Sequence, residues 1–282
     1  MIAYQPIVLD PDKPLGNYIV VYDARTRDQR VRERKKTGGG AVTSFVIYLI
    51  EKNIVDAVVV ARRKKGLVGE IVVARSAEEI LSTVGNRWSV VPYTLKLREI
   101  LSSSNIRRVV FVGLPCQAQF LKQMKMFPLM ESDFSSKIYL IISLFCMGTY
   151  AIEGFIDYMK RTYSIKAEDI VDIHVAGDKL VVKHSSGVLE IPISETLYYL
   201  QHGCLTCPDY TGVFSDLSAG MSSKPGYTLL IVRNKLVDKL LHEAETHGYL
   251  ELEEASTESI EYVINKSREK MRKAYEYLSH IL

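Results

Sequence analysis

Three segments of the chain are almost unbroken in apolar residues: IVDAVVVAR (54–62), RRVVFVG (107–113) and SKIYLIISLFC (136–146). Successive side chains of a strand point to opposite faces, so a strand wet on one face alternates apolar with polar residues. A continuous apolar run therefore marks a strand buried on both faces, as in a sheet covered by helices on each side. Helix-like stretches separate these runs. AVTSFVIYLIEKN (41–53) and TLKLREILSSS (94–104) carry apolar residues at helical spacing. SAEEILSTVG (76–85) opens on a serine cap, has acidic residues in its first turn and stops at Gly85. NYIVVYDAR (17–25), EIVVAR (70–75) and GYTLLIVRN (226–234) read as further strands. The expected fold is α/β, with a mixed, largely parallel sheet flanked by helices.

The pattern changes near residue 164. DIVDIHVAG (169–177), KLVVKHSSG (179–187) and VLEIPI (188–193) are short alternating segments, and AGDK and HSSG are hairpin turns by composition. They predict a small antiparallel insertion at about 165–193. Helices over about 235–246 and 259–281 predict a helical C-terminal extension, about 235–282. The 282 residues suit one domain spanning 1–282, long enough to bury a core without disulfides. The longest apolar stretch, 138–148, is too short to cross a bilayer. Met1 is not followed by a secretory pattern, so a cytoplasmic protein is expected.

The net charge of +3 does not by itself call for nucleic acid. The basic residues are clustered at 25–36, 62–65 and 266–273. The first cluster runs into TGGG (37–40), so a role near an anionic ligand is considered there. The last, KSREKMRK, interleaves glutamate on a predicted helix and reads as solvated surface.

The chain has four cysteines. Cys204 and Cys207 form HGCLTCPDY, a tight turn that brings two sulfurs to one centre. Zinc, an iron–sulfur cluster and a redox dithiol all use such a pair. Cys116, in GLPCQAQFLK, and Cys146 each sit at the C-terminal end of a predicted strand. If those strands are parallel neighbours, both thiols emerge at the sheet edge where α/β folds bind ligands. Either cysteine alone reads as a small buried hydrophobe. Structural zinc usually comes from two local knuckles, whereas ligands scattered along a sheet edge suit a redox cluster better. Gly38, Gly39 and Gly40 precede a predicted helix whose free N–H groups attract phosphate, with Thr43 and Ser44 as added donors. As a motif this is neither GxGxxG nor a P-loop, and a flexible loop fits it equally.

Taken together, GGGAVTSFVIYLIEKNIVDAVVV, AEEILSTVGNRW, VVFVGLPCQAQFL, ISLFC, GCLTCPDYTGVFSDLSAG and GYTLLIVRN resemble the family of coenzyme F(420) hydrogenase/dehydrogenase beta subunits over about residues 17–234. The resemblance implies an archaeal electron-transfer oxidoreductase subunit with FAD beside one 4Fe-4S cluster. Cys116, Cys146, Cys204 and Cys207 are then the cluster ligands. Gly39, Gly40, Val42 and Thr43 match the family's flavin segment, and Asn86 and Arg87 match a second one, with Trp88 where an aromatic is usual. Gly113, Leu114, Pro115, Cys116 and Gln117 match GLPCQ, and Asp209, Thr211, Asp216 and Gly220 match the segment after the CxxC. Asp209 and Thr211 have a plainer reading as turn caps.

The resemblance further implies hydride exchange between coenzyme F(420), or a similar donor, and FAD. Single electrons would then pass through the cluster to ferredoxin or a partner subunit. Many members carry an N-terminal ferredoxin-like module that this chain lacks, so it holds at most one four-cysteine cluster. No catalytic acid or base is singled out, and a homo-oligomer is compatible with the sequence. Two other readings stay open: a structural-zinc module touching nucleic acid or a protein partner, and a flavin enzyme without a cluster.

Overall fold

The computed structural model describes residues 9–34, 38–65, 67–85, 88, 91–103, 105–127 and 132–280. In chain order the elements are β1 (Val20–Thr26), α1 (Gln29–Arg34), α2 (Ala41–Glu51), β2 (Ala57–Lys65), β3 (Val68–Ala74), α3 (Ala77–Leu81), α4 (Tyr93–Ser102), β4 (Val109–Gly113), α5 (Pro115–Met126), α6 (Ser132–Lys137) and β5 (Ile138–Leu144). Then follow α7 (Ile152–Tyr163), β6 (Ile170–Ala176), β7 (Lys179–His184), β8 (Gly187–Pro192), α8 (Ile193–Thr196), α9 (His202–Leu205), β9 (Leu217–Met221), β10 (Thr228–Val232), α10 (Lys235–Thr246), β11 (Leu250–Glu254) and α11 (Thr257–Ser279).

The main sheet has eight strands in the order β11-β1-β10-β9-β5-β4-β2-β3. Its centre is parallel: β2 pairs with β4, β4 with β5, and β5 with β9. Antiparallel strands flank it, β3 on one side and β10, β1 and β11 on the other. Because β10 is antiparallel to both β9 and β1, β1 runs in the same direction as the parallel centre. The carboxyl ends of β1, β9, β5, β4 and β2 therefore lie along one edge. The mixed α/β architecture matches the expectation.

Both faces of the central strands are buried, as the unbroken apolar runs require. Val58, Val110 and Ile142 pack on one face with Phe45 of α2 and Leu241 of α10. Val59, Phe111 and Ile141 pack on the other with Leu101 of α4 and Leu121 of α5. That second face continues over β1 and β10 as Val21, Leu229 and Ile231, covered by Val263 of α11. β6, β7 and β8 form a separate antiparallel sheet with two-residue turns at 177–178 and 185–186. Its apolar side packs on Phe155 and Met159 of α7.

The C-terminal region differs from a helical extension. β11 pairs with β1, and Val237, Leu240 and Leu250 belong to the main core. The LELEE of β11 hides this in sequence, because as the edge strand it buries little more than Leu250. β9 is equally cryptic: Leu217, Ser218, Ala219 and Gly220 lack the β-branched residues that advertise a strand. The basic stretch at 25–34 also reads differently in three dimensions. Arg25 and Arg27 pair with Glu251, and Arg30 with Asp28 and Glu51. Arg32 donates to the Thr26 carbonyl. Each of these four cations thus has a partner within the chain, while Lys35 and Lys36 of the same cluster lie outside the described residues. Among the described residues no helix is long and apolar enough to cross a membrane.

Candidate functional site

The GLPC turn is built to hold Cys116 at the sheet edge. β4 ends at Gly113, Leu114 caps α5, Pro115 takes the first helical position, and Cys116 the second. Proline is favoured there because its missing N–H would have no helical partner anyway. The Gln117 side chain clasps the turn: Oε1 accepts the Leu114 N–H at 2.8 Å and Nε2 donates to the Val91 carbonyl at 2.6 Å. A Cβ on Gly113 would stand 2.7 Å from that Oε1, so glycine leaves room for the clasp. Cys116 itself is exposed.

Cys146 reaches the same edge by the same count. Gly113 of β4 is in register with Ser143 of β5, and each cysteine lies three residues further on. Phe145 N–H donates to the Ala219 carbonyl and Cys146 N–H to the Tyr210 carbonyl, which joins this strand end to the segment after the CxxC. Cys204 lies in α9, and the Cys207 N–H bends back to the Cys204 carbonyl at 3.4 Å. Thr149 Oγ1 is 3.6 Å from the Cys204 sulfur, and the Cys207 thiol lies 3.8 Å from the Asp209 carbonyl oxygen. Lys270 of α11 donates to the carbonyls of Cys146 (2.6 Å) and Asp209 (2.7 Å).

The four cysteines are free thiols in one electrostatic neighbourhood. Desolvation by the surrounding protein pushes the Cys116 thiol up even though it reaches solvent, and Cys207 and Cys204 push the same way. Burial pushes Cys146 up to about 11, against the pull of Lys270 and the Gly148 N–H, with Cys204 and Cys116 adding to the rise. Thiols raised in this way stay protonated until a metal displaces their protons. Four thiolates brought from three segments are a donor set that either a tetrahedral zinc or an iron–sulfur cluster uses.

The polar residues matched to a flavin are largely engaged within the protein. Asp209 accepts from the Gly212 N–H at 2.7 Å and the Val213 N–H at 3.2 Å, so it caps the turn after Tyr210. Burial raises its pKa, opposed by those N–H groups and by Lys270 and Arg233. Thr211 is fully buried and accepts from Arg233 Nη2 at 3.3 Å. Asp216 accepts the Ile141 N–H at 2.9 Å and stands 3.8 Å from Lys122 Nζ, tying the start of β9 to the middle of β5 and to α5. A Cβ on Gly220 would collide with the Phe145 ring. Trp88 donates to the Ile173 carbonyl and stacks with Tyr150, on the smaller sheet. Asn86 and Arg87 lie outside the described residues.

The glycine corner has a packing reason of its own. A Cβ on Gly39 would strike the Ala24 carbonyl and stand 2.6 Å from the Thr228 amide nitrogen. The Gly39 carbonyl accepts the Thr26 N–H at 2.7 Å, and its N–H donates to Thr228 Oγ1 at 3.1 Å. Gly40 then turns at φ 72° into α2, and no side-chain hydrogen bond caps that helix. Val42 and Thr43 stand half-buried in its first turn, at the same carboxyl edge as the cysteines. The open N–H groups of this helix start fit an anionic group such as a dinucleotide's pyrophosphate.

Sequence reasoning missed Lys270 and Arg233. Lys270 falls on the buried stripe Val263, Ser267, Lys270, Ala274, whose spacing of four, three and four is helical. Reading the stripe rather than the charge run identifies it as inward-facing. Arg233 follows a strand and carries no sequence signal of its burial. Its Nε is buried without a partner, and burial lowers the guanidinium pKa to about 10.

A covered α/β sheet that gathers cysteine thiols at its carboxyl edge has the layout of a cofactor-binding protein. The chain belongs to the family of coenzyme F(420) hydrogenase/dehydrogenase beta subunits: the N-terminal family model matches residues 21–98 and the C-terminal model residues 106–258. It is thereby an oxidoreductase-family chain. It is 27% identical over 241 residues to the coenzyme F(420) hydrogenase subunit beta of Methanococcus voltae, covering 84% of this chain and 85% of that protein. It is 27% identical over 243 residues to the protein of the same description from Methanosarcina barkeri, covering 85% of this chain and 83% of that protein. A chain of the F(420)-reducing [NiFe] hydrogenase complex from Methanosarcina barkeri shares the fold with a TM-score of 0.87 at 24% identity, over 97% of this chain and 94% of that one.

Proposed function

We propose that this chain is the FAD- and iron–sulfur-carrying subunit of a coenzyme F(420)-linked oxidoreductase, with one 4Fe-4S cluster held by Cys116, Cys146, Cys204 and Cys207. The shared register of Gly113 and Ser143 carries the reading, because Cys116 and Cys146 each follow that registered pair by three residues on adjacent parallel strands. When bound, the flavin supplies two-electron hydride exchange and the cluster single-electron transfer.

The chain's own residues bind and orient. The first turn of α2, with Gly39, Gly40, Val42 and Thr43, receives the pyrophosphate. Gly113, Pro115 and Gln117 fix the turn that presents Cys116. Asp209, Thr211 and Asp216 brace the loop between the CxxC and β9 instead of spending their side chains on the flavin. Coenzyme F(420) is the proposed co-substrate, and ferredoxin or a partner redox subunit the proposed electron partner. The chain acts as a single unit over 1–282, in the cytoplasm.

The test is anaerobic reconstitution with iron, sulfide and FAD, followed by reduced coenzyme F(420). The expected outcome is bleaching of the flavin absorbance and then of the cluster absorbance. A loaded protein that reduced coenzyme F(420) leaves unbleached contradicts the assignment of the donor. A protein that takes up zinc and neither iron nor flavin contradicts the whole reading.

A further inference from the structure

Lys270 stands in one of the most basic stretches of the chain, KSREKMRK, yet is only 4% exposed. Its neighbours behave as surface residues: Lys266 and Lys273 pair with Glu269, and Arg272 with Glu276. Burying an ammonium group is costly unless it is well partnered. Its nitrogen donates to two backbone carbonyls, those of Cys146 and Asp209, and among the described residues it forms no ion pair. Carbonyl dipoles satisfy its hydrogens but do not cancel its charge. The Asp209 carboxylate feels that charge but also feels Arg233, and it is occupied by the Gly212 and Val213 N–H groups. A net positive charge therefore remains behind the backbone that carries Cys146 and follows Cys207. Four neutral thiols give such a charge little to do, whereas an anionic centre held by thiolates balances it.

We propose that Lys270 is a positioning residue of the cysteine site: it clamps the Cys146 and Asp209 segments together and supplies a fixed positive charge to an anionic iron–sulfur centre. The proposal rests on the cluster reading above. It concerns a residue beyond 258, where the match to the family model ends. A fixed positive charge favours the reduced, more negative state of a nearby centre over the oxidised one. Removing it lowers the potential, and removing the clamp loosens the ring of ligands.

The wild type, Lys270→Met, Lys270→Gln and Lys270→Arg are loaded anaerobically with iron and sulfide. Each is then assayed for iron per chain, thermal melting and the reduced-to-oxidised ratio in an equilibrium redox titration. Lys270→Met is expected to lower that ratio at fixed potential at least tenfold, which is about 59 mV for one electron. Lys270→Gln keeps a donor without the charge and shifts the ratio in the same direction; it decides the matter if Lys270→Met does not fold. Lys270→Arg keeps the charge and stays within about threefold of the wild type. Loss of iron from Lys270→Gln with wild-type melting, while Lys270→Arg loads, also supports the clamp. Lys270→Gln with wild-type iron content and an unchanged ratio overturns this proposal alone. A wild type that binds no iron overturns it together with the cluster reading.

Discussion

The two corners of the carboxyl edge are built in opposite ways. At the cysteine corner side chains do the work: Gln117 clasps one turn, Asp209 caps another, and Lys270 joins two segments from behind. The thiols are what remains after those bonds are made. At the glycine corner side chains are removed: Gly39 lets the loop lie against the backbones of β1 and β10, and an uncapped helix start follows. The first corner is suited to hold a metal centre by covalent ligands. The second is suited to receive an anion by backbone N–H groups. In the proposed reading these two corners of one sheet edge are two unlike cofactor sites, as a protein that converts hydride to single electrons requires.

Three variants, one of them with a control beside it, and one alkylation measurement sharpen or break this contrast, taken from the largest expected effect to the smallest. Cys116→Ser removes one ligand. Iron should fall from about four per chain to below about one, while flavin binding survives, as elemental analysis and flavin absorbance would show. Loss of both together would mean that the corners are not separable. Gly39→Ala should do the reverse. Its Cβ meets backbone that cannot move aside, so a destabilisation of roughly 1–3 kcal/mol is expected, with weaker flavin binding and retained iron. Gly203→Ala, beside Cys204 but facing open space, is the control and should stay within about 0.5 kcal/mol of the wild type.

Gln117→Ala leaves the Leu114 N–H and the Val91 carbonyl without their partner, at about 1 kcal/mol. Iron should load more slowly with little change in melting temperature. The smallest effect concerns the cluster-free protein. Cys146 is raised to about 11, so the thiol stays protonated, and poorly nucleophilic, at neutral pH. Its alkylation rate should keep climbing toward pH 11, past the point where an ordinary thiol of pKa ~8.5 has levelled off. A plateau near pH 8 would mean that burial does not dominate at this position.

Much of this edge was legible in the sequence. IVDAVVV, VVFV and IYLIIS announce strands buried on both faces, and adjacent parallel strands follow from the intervening helices. Once β4 and β5 are neighbours, the placement of Cys116 and Cys146 is a matter of counting. β9 and β11 were not legible, because one is made of small residues and the other is an acidic edge strand. The glycines were legible as a special loop, but their reason was not: the backbone that crowds Gly39 comes from Ala24 and Thr228, the latter nearly two hundred residues away. The turn-cap role of Asp209 was legible, because its partner Gly212 is three residues away, whereas the roles of Thr211 and Asp216 were hidden, since their partners Arg233 and Ile141 become neighbours only in the folded chain.

The central claim is that four scattered cysteines hold one iron–sulfur cluster beside a flavin, and the most direct measurement is iron, acid-labile sulfide, zinc and flavin per chain in anaerobically purified protein. The expected result is about four irons and four sulfides, with one flavin and no stoichiometric zinc. Protein that carries one zinc, or that stays free of iron and flavin after anaerobic reconstitution with both, would contradict it.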